Sequence, residues 1–303
     1  MRMWDIILIS GTITGIIYAL IAISFALIYG VSGISNLAVG AFFMLGAYFY
    51  EAFLEVLPNY IPPLFPYSTP ILALILSSIT NGVIGAIFYR VTLHQILGDD
   101  VNILITSICA CVIIQQLVHI IGGTAMASAY NIEPIVHGQI AIGNVEIESQ
   151  RLLSALITIA IFIALLFFLT KTKTGKAMRA LSEDLEAAML MGINIGRTFI
   201  LVSIISAFLA SLSGILYTSI TGWVSSLSWL VGLSLTFSIV ILGGLKSLKG
   251  AFVGGLIFAY AELILLKAGI GAEVLVKSFP FIVAIIVLII RPKGLFGKRV
   301  EME

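Results

Sequence analysis

The chain has 303 residues, of which 60% are hydrophobic and only 10% charged, with a formal net charge of +1. Soluble domains carry about 25% charged residues, so one aqueous globule cannot hide this much apolar surface, and the bilayer is the solvent. A net charge this small excludes a nucleic-acid partner.

In chain order, Ile6–Tyr29 is the first apolar run. It is long enough to cross a membrane and has no small-residue cleavage signal, so it reads as a permanent first helix. Further runs cover Leu37–Val56, Ile71–Tyr89, Val101–Ile121, Leu152–Leu169, Thr198–Ile220, Trp229–Leu242, Ala251–Leu266 and Leu275–Ile290. The expected fold is an all-α polytopic membrane protein with about eight or nine transmembrane helices, one or two of them broken or re-entrant, forming a single transmembrane domain over 1–303. Leu37–Val56 begins beside a glycine-containing turn, and Trp229–Leu242 is short of the roughly 20 residues a span needs. Either suits a broken or re-entrant segment, which requires protein rather than lipid around it.

Twelve of the sixteen basic residues fall on one side of this alternation: Arg90, five in the loop 171–197, Lys246, Lys249, Arg291, Lys293, Lys298 and Arg299. That side, with the carboxyl terminus, is expected to face the cytoplasm. On the other side, the loop 122–151 contains residues alternating around Gly143-Asn144, the pattern of a small β-hairpin. It reads equally as a docking surface or as a passive cap.

Catalytic constellations are missing. His94, His119 and His137 share no ligand spacing. Cys109 and Cys111, two apart in an apolar run, point away from each other on a helix. Patterns for metalloproteases, serine hydrolases and phosphate loops are absent from the sequence. Ion coupling usually places charge in mid-membrane. Here the runs hold Glu51 and Glu55 near one end of a segment, and Glu262, whose favoured reading is pairing with Lys267 near the interface.

Asn36, Asn81, Gln115 and Gln116 are the uncharged polar candidates for a pathway; their plainer role is hydrogen bonding between helices. Gly40, Gly243, Gly244 and Gly250 join the pathway candidates, because Gly40-Ala-Phe and Gly250-Ala-Phe echo each other at two helix starts after glycine turns. Paired interrupted segments of this kind surround transport pathways. Gly11–Gly15 and Gly250–Gly254 are GxxxG pairs suited to close helix packing.

The basic loop contains a further element. Asp184 suits an N-cap, Glu186 the first helical turn, and Gly192 a left-handed C-cap. Ala187 and Ala188 form a small-residue face, and Leu185, Met189 and Leu190 an apolar one, with Met191 closing the helix. About two turns are unstable alone. Such a helix must pack, either on its own chain or in a groove of a partner.

The segment Glu186-Ala187-Ala188-Met-Leu-Met-Gly192 resembles the coupling loop of permease subunits of ATP-binding-cassette importers. Gly175–Asn194 as a whole, Ile34-Ser-Asn-Leu-Ala-Val-Gly40 with Phe42–Tyr48, Ile241–Ala251, and the tail Arg291-Pro-Lys-Gly-Leu-Phe-Gly297 resemble the branched-chain amino acid permeases, nearest the LivH type. The resemblance implies a multi-pass cell-membrane subunit without enzymatic residues or cofactors of its own, importing branched-chain amino acids. It implies a LivM-type companion permease, two cytosolic ATPases that bind the ATP, an external solute-binding protein and surrounding membrane lipid. The coupling contact would lie on Asp184, Glu186, Ala187, Ala188, Met191 and Gly192. Three positions depart from the family pattern: Val39 replaces a histidine, Ala41 an acid and Leu185 a proline. Alternatives are a urea or short-chain amide permease and, further off, a channel or ion-coupled carrier.

Overall fold

The computed structural model describes residues 2–60, 67–127, 130–132, 134–136, 138–142, 145–268, 281–282, 285–287, 289, 291 and 294–296. Ten α-helices are described: α1 (Arg2–Ser32), α2 (Val39–Tyr60), α3 (Ser68–Val91), α4 (Asp100–Ala127), α5 (Ser149–Lys171), α6 (Lys173–Glu183), α7 (Leu185–Leu190), α8 (Ile195–Thr221), α9 (Ser228–Gly243) and α10 (Leu248–Ala268). Seven are long and apolar enough to cross a membrane, and α9, of 16 residues, is shorter. At 1.5 Å per residue α9 extends about 24 Å, less than a hydrocarbon core of about 30 Å. The expected all-α polytopic architecture is therefore present. Of the last apolar run, Leu275–Ile290, only 281–282, 285–287 and 289 are described, all helical.

Burial sorts the helices. The apolar stretch of α1 is 89% buried and that of α8 72%, against 17% for α4 and 28% for α5. So α1 and α8 form the centre, and α4 and α5 present Ile105, Ile113, Leu117, Ile163 and Phe167 outward, as a lipid-facing surface requires. Lipid is as apolar as leucine, so helices in it associate through close packing and hydrogen bonds. Small residues make that possible here. A Cβ on Gly15 would lie 2.7 Å from Leu256 Cα, and one on Gly255 would lie 2.8 Å from Gly15 O, so α1 and α10 meet backbone to backbone. Gly254 faces Ile239 O of α9 in the same way. The GxxxG glycines thus have the packing role expected of them. Serines of α8 add interhelical bonds: Ser206 Oγ donates to Ser24 O of α1 (2.8 Å) and Ser203 Oγ to Gly85 O of α3 (3.1 Å).

The segment between α1 and α2 is not helical, yet Ile34, Asn36, Leu37 and Ala38 are buried. It starts at Gly33, which turns the chain with φ +70°, and Leu37 O accepts from Cys111 Sγ in the middle of α4 (3.5 Å). The chain therefore re-enters the interior before α2 forms. Such a break at depth is allowed only inside protein. The doubtful segment predicted at Leu37–Val56 is thus a full helix of 22 residues preceded by a buried break.

Four short strands lie at one end: β1 (Tyr130–Asn131), β2 (Gln139–Ile142), β3 (Val145–Glu148) and β4 (Trp223–Val224). β2 and β3 form the expected antiparallel hairpin, with Ile142 opposite Val145; the turn residues 143–144 lie outside the described residues. β1 pairs antiparallel with β4, which ties the loop 122–151 to the α8–α9 connection. The predicted loop begins later than expected, because α4 runs on to Ala127. At the opposite end, Gly30 of α1, Leu169 of α5, Arg179 of α6 and Lys246 line one cleft. The loops assigned to the basic side by charge thus gather at one end, and the hairpin occupies the other.

Gly46→Val tests the packing rule. A Cβ at Gly46 would lie 2.5 Å from Ser211 O. Overpacking of this kind costs about 1–3 kcal/mol, and the expected outcome is a lower melting temperature for the purified chain. Gly196→Ala, where the nearest neighbour would be Asn194 Oδ1 at 3.7 Å, is expected to melt like the wild type.

Candidate functional site

The predicted coupling element is α7, and its two ends are closed by the residues that the sequence designates. Asp184 Oδ1 accepts from Ala187 N (2.9 Å), satisfying a donor that the helix start leaves open. Glu186 lies in the first turn. At the far end Gly192 has φ +81°, Gly192 N donates to Met189 O (2.9 Å) and Ile193 N to Ala188 O (3.2 Å). This is the paired-bond helix stop that a left-handed glycine permits.

The structure adds α6, which the sequence reading left inside the basic loop. Thr172 Oγ1 accepts from Gly175 N (3.0 Å) to cap α6, and Asn194 Oδ1 accepts from Arg197 N (3.0 Å) to cap α8. Three consecutive helices are therefore each started by a side-chain oxygen. Met178 and Leu181, spaced for one helical face, anchor α6 in the core; that spacing and Thr172 were the available signal.

Both packing options for α7 are realised in part. Ala188 is buried against its own chain, at 4% exposure. Leu190 and Met191 are 89% and 82% exposed. Ala187 is exposed too, and with Ala177, Ala180, Asp184, Ala188 and Met191 it lines a groove of about 550 Å³ between α6 and α7. A two-turn helix is thus held rigidly from behind while its large apolar side chains project from the basic end.

The pathway candidates fall into three places. Gly40 and Gln115 converge on Trp229 at the start of α9, and Asn36 lies in the buried break that leads to Gly40. Asn36 Oδ1 accepts from Ala38 N (3.0 Å) within the buried break. A Cβ on Gly40 would lie 2.6 Å from Trp229 O, and Gln115 Oε1 accepts from Trp229 Nε1 (2.6 Å). His119 Nε2 and Ser226 Oγ are 2.9 Å apart one turn further along α4. At the other end of α9, Gly243 and Gly250 face each other so closely that a Cβ on either would strike the other's carbonyl. Gly244 ends α9 with φ +106°. The tail then closes this corner: Leu295 N donates to Leu242 O and Phe296 N to Gly243 O, each at 3.0 Å. These bonds satisfy carbonyls that a helix end leaves open. Trp229 and the tail contact were not legible in sequence, because both are long-range pairings.

Asn81 lies apart, between α3 and α8, where Asn81 Nδ2 donates to Ser211 Oγ (3.0 Å). Ser77 Oγ beside it donates to Gly46 O (2.7 Å). Asn36 and Asn81 are 1% and 0% exposed, so in this conformation both act as internal polar contacts. Gln116 is exposed on α4. Glu262 Oε2 accepts from Tyr18 OH (3.0 Å) across the α1–α10 contact; its expected partner, the Lys267 side chain, lies outside the described residues. Close packing of these two helices puts Tyr18 within reach. Cys109 is exposed and Cys111 buried, both free thiols. Among the described residues no three metal-ligating side chains gather.

A central helix pair, a buried chain break, a glycine corner and an exposed capped helix define a polytopic membrane transport subunit. Over residues 7–289 the sequence matches the family described as branched-chain amino acid transport system, permease component, and the chain belongs to that family. Similar proteins include the high-affinity branched-chain amino acid transport system permease protein BraD of Pseudomonas aeruginosa, 30% identical over 98% of this chain and 96% of that protein. The permease protein LivH of Salmonella typhimurium is 32% identical over 97% of this chain and 95% of its own length. A probable LivH of Methanocaldococcus jannaschii is 27% identical over 92% of this chain and 88% of that protein. The resemblance read from the sequence motifs is thereby confirmed.

Gly250→Leu is expected to abolish uptake while the chain still inserts. The added side chain would meet the Gly243 backbone first and Ser247 Cβ next, so α9 and α10 must separate. Uptake in whole cells, set against membrane levels of the variant, measures this; normal uptake would reduce the corner to passive packing.

Proposed function

We propose that this chain is a permease subunit of an ATP-binding-cassette importer for branched-chain amino acids, and that α7 transmits the work of cytosolic ATPases. The observation that carries the reading is α7 itself, capped at both ends and presenting Leu190 and Met191 to the outside. A conformational switch needs contacts that differ between its two states. A rigid apolar projection offers such a contact to a partner groove.

The printed names of the relatives favour branched-chain amino acids over urea or short amides. A companion permease of the LivM type supplies the other half of the pathway, an external binding protein delivers the substrate, and ATP is bound by the partners alone. The chain performs transport and no covalent chemistry. The basic end faces the cytoplasm, in keeping with the excess of lysine and arginine there. In this arrangement α9 links the two candidate clusters: its start meets Gly40 of α2 and Gln115 of α4, and its end forms the glycine corner. Movement of α9 relative to α2 and α10 would alter both together.

Orientation is tested by labelling. Lys173 and Lys249 are expected to react only from the cytoplasmic side, and a cysteine replacing Asn144 only from outside; the reverse pattern would overturn the assignment. Coupling is tested by Ala187→Arg, which places a bulky cation in the α6–α7 groove. Burying an unpaired charge in an interface costs on the order of several kcal/mol. The expected outcome is loss of ATPase co-purification and of substrate-stimulated ATP hydrolysis, with unchanged membrane levels of this chain. Retention of both would remove α7 from the mechanism.

A further inference from the structure

The cleft at the basic end has a composition that coupling does not use. It is small, about 80 Å³, far below the roughly 300 Å³ of pockets that enclose a metabolite-sized ligand. Its inner wall is apolar: Ala26, Leu27 and Val31 of α1 and Leu169 of α5, all buried. Its mouth carries Arg179 and Ser182 of α6 and Lys246 of the α9–α10 turn.

No acidic side chain lines the cleft. Arg179 and Lys246 make no ion pair among the described residues, where the one salt bridge is Arg151 with Glu148. The acids nearest in sequence, Glu183 and Asp184, line the separate groove between α6 and α7. Two long cations therefore converge, without an internal counter-charge, on a site floored by hydrocarbon. The ends of α1 and α5 flank it, so it lies at the membrane boundary. Ser182 Oγ donates its hydrogen to Arg179 O (2.7 Å). The site consequently offers an anion the guanidinium fork of Arg179 and the ammonium of Lys246. Arginine binds phosphate oxygens in parallel pairs, and lysine binds them as a point charge.

We propose that this cleft receives the phosphate of an anionic phospholipid headgroup, with Arg179 and Lys246 on the phosphate oxygens and the rest of the lipid outside the cleft. Basic pockets at the cytoplasmic ends of transmembrane helices suit such headgroups. A lipid seated there bridges α6 to α1 and to the α9–α10 turn. It thereby steadies the helix from which α7 projects. The leaflet assignment rests on the orientation proposed above, whereas the site itself does not. The labelling test reports on the first and the following test on the second.

The full chain, purified in neutral detergent with whatever subunits accompany it, is depleted of lipid and melted with added phosphatidylglycerol, phosphatidylcholine or inorganic phosphate. Phosphatidylglycerol is expected to raise the melting temperature more than phosphatidylcholine. That difference is expected to fall by at least half in Arg179→Gln/Lys246→Gln and to persist in Lys171→Gln/Lys249→Gln, whose residues lie outside the cleft. Equal shifts from both lipids would overturn the proposal, as would an equal loss in the control pair. Inorganic phosphate reproducing the whole shift would make the ligand a free anion. A double variant that is merely less stable, with the lipid difference intact, would mean that the two cations serve the carbonyls at the end of α1. Should that variant fail to fold, native mass spectrometry of the single variants Arg179→Gln and Lys246→Gln decides: phosphatidylglycerol retention below wild type, with phosphatidylcholine unchanged, supports the site, and retention equal to wild type in both overturns it.

Discussion

Backbone-to-backbone contact, possible only where the side chain is a hydrogen atom or little more, holds this bundle together. Inside a bilayer no hydrophobic force pulls one apolar helix toward another. Attraction must come from close van der Waals contact and from hydrogen bonds that lipid cannot supply. Gly15 and Gly255 bring α1 and α10 into direct contact, Gly243 and Gly250 do the same for α9 and α10, and Gly214 admits the backbone of Phe43. Serine hydroxyls on α8 then reach carbonyls on α1 and α3. Small residues thus mark the closest helix contacts, while large side chains such as Phe25, Phe42, Phe43 and Tyr50 fill the core between them.

The same constraint governs the two places where the helix pattern breaks. A non-helical backbone at depth must find partners within the protein. Before α2, Asn36 supplies an acceptor to Ala38 N, and Leu37 O accepts from Cys111. After α9, two amides of the tail bond the last carbonyls of the helix. The second break bonds the end of α9 directly, and the first leads into Gly40 of α2, which packs against Trp229 O at the start of α9. Because α9 is too short to be fixed by both faces of a membrane, its position is set by these contacts.

At the basic end the physics changes, because water is available and charge is cheap. The arm of α6 and α7 is built from caps: Thr172, Asp184 and Asn194 each start a helix, and Gly192 stops one. A six-residue helix has almost no intrinsic stability. Its rigidity comes from those caps and from Ala188, Met178 and Leu181 seated on the rest of the chain. Leu190 and Met191 are left outside because the arm has no interior for them. Surface that costs free energy in water, held in one conformation, is what a regulated contact requires.

The sequence by itself determined the solvent, the helical class, the sorting of loops by charge, the hairpin around Gly143-Asn144 and both ends of α7. Each follows from local chemistry: hydropathy over a window, alternation over a few residues, a capping oxygen three residues before its donor. The motifs around α7, before α2, at the end of α9 and in the tail likewise sufficed to place the chain in its family. Only the tertiary structure decided that α1 and α8 lie at the centre and α4 and α5 at the rim, since the central α1 and the rim helix α4 read as equally apolar. It also decided that Asn81 meets Ser211, that Gln115 meets Trp229, that Glu262 meets Tyr18, and that the tail closes α9. These pairings join residues far apart in the chain, and nothing in a lone asparagine or glutamate states which helix will lie beside it. Packing geometry, fixed by where glycine lets backbones touch, settles that choice.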